Sequence, residues 1–146
     1  MENVIISIKG TQNLGNADDD SIELVTDGEF SRRNGVSQFS YMESELTGLE
    51  GTKTTFEVMS DQVVLTREGS VNSQMVFQRG KKHYFAYDTP FGATTMGVET
   101  HSLSDRLGEK GGDLEIHYVI DMDSVVISRN MFKINIREVN GIGKPN

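Results

Sequence analysis

Apolar residues recur at every second position in short runs, and a turn signal stops each run before it grows long. No other feature constrains the fold as much. Val4, Ile6 and Ile8 share one parity, and Ile22 and Leu24 open a parity that continues through Thr26 and Gly28 to Phe30. Phe39 with Tyr41, Phe56 with Val58, Val63 with Leu65, and Met75 with Phe77 repeat the pattern. Tyr84 to Tyr87 form a two-sided run; then come Met96 with Val98, Leu114 through Ile120, and Phe132 through Ile136. A period of two belongs to a strand with one buried face. Between the runs stand "NG" at Asn34 and Gly35, then "TGLEG", "EGS", "RGK", "DTPFG", "GEKGGD" and "MDS". Asn-Gly suits a primed hairpin turn, where both central residues take positive φ. The spacing predicts an all-β chain of roughly 8–10 antiparallel strands. Successive hairpins make an up-and-down meander, and closing it into a barrel removes the sheet edges. A sandwich would need longer crossings than the chain offers. Only "HSLSDRLGEK" could hold a short helix. One domain over residues 1–146 is expected, with residues 141–146 as a frayed tail.

Charge and composition narrow the function. Asp and Glu number 22 against 14 Lys and Arg, for a net charge of −8. Nucleic-acid binding needs a basic footprint, so that class is disfavoured, as are anionic membrane surfaces. The chain has no Cys, which excludes disulfides, thiolate metal sites and cysteine nucleophiles. No apolar run is long enough to span a bilayer, and the N-terminus lacks a basic segment ahead of an apolar one. A cytoplasmic location is expected. His83, His101 and His117 have no paired metal-ligand spacing, so no metal or cofactor is expected. The acidic run at residues 16–21 lacks the spaced ligands and the glycine of a calcium loop and reads as a solvated connection. Phosphate-binding glycine loops and the GxSxG elbow are absent from the sequence.

"YMESELTGLEGTKTTFEV" and "VVLTREGSVNSQMVFQRGKKHYFAYDTPFG" carry a family likeness. Tyr41, Glu43, Gly48, Thr52 and Thr54 match its first half; Leu65, Arg67, Gly69, Met75, Phe77 and His83 continue it, and Tyr87, Thr89, Pro90, Phe91 and Gly92 end it. The chain resembles the YwiB-like family of small bacterial proteins of unknown function. Met42 stands where that family more often has an acidic residue. The resemblance implies a calycin-like barrel, the architecture of lipocalins, and no established activity.

One strand face poses the functional question. Phe39, Tyr41, Glu43 and Glu45 share a parity, so an apolar face turns acidic. A tight hairpin at "TGLEG" would set Glu45 opposite Thr52, Glu43 opposite Thr54, Tyr41 opposite Phe56 and Phe39 opposite Val58. Arg67 continues the inward parity of Val63 and Leu65 toward the same end, within expected reach of Glu43. Three readings stay open: a solvated rim ion pair, an internal structural network, or a cluster facing a ligand. The ligand-facing set would be Glu43, Glu45, Arg67, Thr54 and Tyr41, with His83 and Tyr87 as outlying candidates. On this basis the chain is expected to bind a small molecule at or inside one end of the barrel, and enzymatic activity is not expected. The alternatives are an interaction module with a side-chain-filled barrel, its oligomeric state open, and a hydrolase or isomerase using the Glu43 and Glu45 carboxylates. A lumen packed solid by Phe39, Phe56, Leu65 and Phe77 would count against a ligand inside it.

Overall fold

The computed structural model describes residues 2–15 and 20–139. The proposed tail at 141–146 and residues 16–19 of the acidic run lie outside them. Ten strands follow one another: β1 (Glu2–Asn13), β2 (Asp20–Arg33), β3 (Val36–Met42), β4 (Lys53–Val58), β5 (Val63–Glu68), β6 (Ser73–Phe77), β7 (Lys82–Thr89), β8 (Gly92–Gly108), β9 (Gly111–Met122) and β10 (Val125–Glu138). They form one sheet in the order β6-β5-β4-β3-β2-β1-β10-β9-β8-β7. All ladders are antiparallel, and β10 returns to pair with β1. The two sheet ends meet through isolated bridges, Asn72 with Asp88 and Arg79 with Thr100, which nearly close a barrel. The Asn72 amide donates to the Asp88 carbonyl at 2.9 Å, and the reverse bond is 3.0 Å. This is the expected all-β meander. Asn34 and Gly35 take φ of 54° and 78°, as a primed turn requires. The "HSLSDRLGEK" segment extends β8 instead of forming a helix. Leu103 and Leu107 turn toward the core from that strand, so strand pairing with β9 wins over weak helix propensity. No helix of the described residues is long and apolar enough to cross a membrane.

Aromatic rings fill the middle of the barrel. Phe39 stacks on Phe56 with centroids 4.8 Å apart. Phe56 meets the edge of Phe132 at 5.9 Å, Phe132 lies 5.7 Å from Tyr118, and Tyr118 lies 4.8 Å from Phe77. Such pairs add to area burial. Phe39, Phe56, Leu65 and Phe77 are all fully buried and fill this part of the interior with side chains.

Gly28 marks where the sheet divides. Beyond it toward the hairpin, Glu29 to Arg33 pair with β3. Before it, residues 20–28 pair with β1 alone. A Cβ on Gly28 would stand 2.3 Å from the Ile6 side chain and 2.5 Å from the Ser40 carbonyl oxygen. Only glycine lets β2 pass this close to β3 before the two strands part.

Candidate functional site

The parting of β2 from β3 opens a cavity of about 260 Å³ at one end of the barrel. Its wall on one side comes from the inward parity of the β2, β1 and β10 ribbon. Ile8, Gly10, Ile22, Leu24 and Phe132 lie there. Gly10 pairs with both Ile22 and Phe132, and its missing side chain leaves room over the Phe132 ring. A Cβ there would touch that ring at an ordinary 3.8 Å. Facing this apolar wall are Tyr41, Glu43, Arg67 and Tyr118. Thr47 and Leu49 form a lip.

Strand register places the polar groups. Tyr41 pairs with Thr54, Thr54 with Arg67, and Arg67 with Ser73, so these four share a level. Phe39, Phe56, Leu65 and Met75 form the level beneath. The expected register is therefore displaced by two residues. Phe39 faces Phe56, not Val58, and Tyr41 faces Thr54, not Phe56. The physical cause is the connection from β3 to β4. "TGLEG" does not make a tight hairpin. Ser44 accepts a bond from the Leu46 amide and caps a one-turn 3-10 helix, Glu45–Thr47, which ends at Gly48 in the left-handed region. The loop consumes residues that a tight turn would have left to the strands.

Three corrections follow. Glu45 sits exposed on the 3-10 turn and does not line the cavity. The Glu43 and Glu45 carboxylates therefore do not share the cavity. Glu43 does point inward and is only 7% exposed, but its partner is Thr54, whose hydroxyl donates to Oε2 at 2.5 Å. Of the expected reach to Arg67, directly or through one water, the direct ion pair is absent among the described residues. With the displaced register, Tyr41 shares the Arg67 level, and Glu43 stands beyond it, bonded through its amide to the Thr52 carbonyl at 2.9 Å. His83 and Tyr87 lie outside the cavity lining. The His83 Nε2 is 3.0 Å from the Gln78 Oε1, and Tyr87 packs against the core.

The electrostatics of the cavity centre on Arg67. Its Nε is buried and has no hydrogen-bond partner in the protein. Burial raises the Tyr41 phenol well above its ordinary value; the Glu43 carboxylate raises it further, and the Arg67 cation opposes both. Burial likewise raises the Tyr118 phenol, again against Arg67. Arg67 therefore stands within the electrostatic reach of both hydroxyl-bearing rings. Among the described residues, no group of three or more His, Asp or Glu could hold a metal ion.

Sequence reasoning missed Tyr118, Phe132, Ile8 and Leu24 as site residues. Their inward parity was readable. Their level relative to Arg67 was not, because it depends on the stagger of strands remote in sequence.

Among solved structures, the chain is similar to the crystal structure of the ywiB protein from Bacillus subtilis. The two are 21% identical, with 94% of this chain and 92% of that one covered and a TM-score of 0.82. At that identity the likeness shows the shared barrel. No curated protein matches the chain. Residues 6–134 match the model of a family described as a domain of unknown function, DUF1934, and the chain belongs to that family.

Proposed function

We propose that the chain is a non-enzymatic barrel that binds a small amphipathic ligand in the cavity between β2 and β3. In architecture we read it as calycin-like, and in setting as a bacterial cytoplasmic protein. One observation carries the reading: an apolar wall of Ile8, Leu24 and Phe132 faces Tyr41, Glu43 and Arg67 across about 260 Å³ of space. Ligand sites commonly combine an apolar lining with a few convergent polar groups. The filled middle of the barrel confines the ligand to the end, above the Phe39 and Phe56 level.

Native mass spectrometry of protein purified under mild conditions tests this reading. The expected spectrum shows bound small-molecule mass added to the 16.2 kDa chain. Gly10→Leu would fill the cavity over Phe132 and should abolish that added mass. Bare chain in the wild type, or added mass that survives in Gly10→Leu, would refute the cavity as the site.

A second reading rests on the edge of β2. Among the described residues, no strand pairs with the side of residues 20–28 that faces away from β1. Ile22 and Val25 are exposed on this segment. Such an edge can accept an extended peptide as an added strand, which would make the chain an interaction module.

A further inference from the structure

We propose that the cavity selects a zwitterion, a small molecule carrying one carboxylate and one ammonium on an apolar body, as an apolar α-amino acid does. The inference rests on the cavity reading above and names its ligand class. Glu43 and Arg67 both line the same cavity, and among the described residues neither forms an ion pair with the other. Opposite charges that share a shielded site ordinarily pair or acquire partners, because an uncompensated buried charge is costly. Here no direct ion pair joins them. Thr54 donates to the Glu43 Oε2 at 2.5 Å, which ties the carboxylate to β4, the strand between β3 and β5. Arg67 projects from β5 beside Tyr41 and Tyr118, with its Nε buried and unpartnered within the protein.

The ligand's charges follow from this arrangement. A carboxylate satisfies the guanidinium through charge-assisted hydrogen bonds. A lone anion would also meet the Glu43 carboxylate, and Asp20 adds a further negative charge to the lining from the start of β2. A lone cation would meet Arg67. Only a ligand with both signs compensates both walls, so the site rejects singly charged analogues by repulsion as well as by lost attraction. Ile8, Leu24 and Phe132 then receive the apolar body.

Isothermal titration calorimetry of the full chain with three probes decides the matter. L-leucine carries both charges, 4-methylpentanoate only the carboxylate, and 3-methylbutylamine only the ammonium, on similar branched bodies. L-leucine should bind, and each singly charged probe should bind roughly ten- to a hundredfold more weakly, the scale of a lost charge-assisted hydrogen bond. Glu43→Gln should weaken L-leucine by a similar factor while leaving 4-methylpentanoate no weaker. Arg67→Met should do the same while leaving 3-methylbutylamine no weaker, and Arg67→Gln, which also removes the cation, serves if the Met variant does not fold. Either singly charged probe binding as tightly as L-leucine would overturn the zwitterion. If no probe binds while native mass spectrometry shows added mass that Gly10→Leu removes, the ligand class is wrong and the cavity reading stands. If no probe binds and no added mass is found, both fall.

Discussion

Thr54→Val isolates the interaction that keeps Glu43 inside the barrel. Thr54 is fully buried and Glu43 nearly so, and the Thr54 hydroxyl donates to the carboxylate at 2.5 Å. Valine keeps the branched shape and removes the donor. A hydrogen bond to a charged group contributes about 1.5–3 kcal/mol, against about 0.5–1.5 kcal/mol between neutral groups. Thr54→Val should therefore cost about 1.5–3 kcal/mol in the wild-type background. In a Glu43→Gln background the acceptor is an uncharged amide, and the same substitution should cost about 0.5–1.5 kcal/mol. The middles of the two ranges differ by about 1 kcal/mol, which is the coupling expected from the double-mutant cycle. Urea unfolding followed by circular dichroism measures each corner, and an unchanged urea slope confirms that the same surface is exposed. Equal losses in the two backgrounds would show that the carboxylate does not depend on Thr54, and the internal placement of Glu43 would lose its support.

Two further outcomes follow from the packing. Phe77 is fully buried and meets Tyr118 at a centroid distance of 4.8 Å; Phe77→Ala should destabilise by about 3–5 kcal/mol in urea melts, and an unchanged midpoint would contradict its inward position. The Tyr41 and Tyr118 phenols are raised above the ordinary value of 10.0 in the folded chain, so the native state retains protons that the unfolded state releases. Their contribution to stability is complete below about pH 10 and is lost as pH rises through the folded values; tyrosinate absorbance should show these two ionising only together with loss of the barrel's circular dichroism, and early ionisation of all four tyrosines in the folded protein would contradict their burial.

The period-two alternation was enough to specify strands, their inward faces and an antiparallel meander, because pleat and side-chain direction are local properties of the chain. Phe39, Phe56, Leu65 and Phe77 could be assigned to the interior on parity alone, and so could Glu43. Parity cannot count residues in a loop. The 3-10 turn at Glu45–Thr47 displaced the β3–β4 register by two residues, a shift that preserves every face yet changes every partner. That is why Glu43 was legible as inward while its partner was not, and why Glu45 left the site. The cavity itself was decided by tertiary structure. It exists because β2 parts from β3 at Gly28, where the Ile6 side chain and the Ser40 carbonyl leave no room for a Cβ. Phe132 reaches it through the return of β10 to β1, a pairing of residues more than a hundred positions apart in the chain, and Tyr118 through the stagger of β9 on β10; no local pattern encodes their level along the barrel.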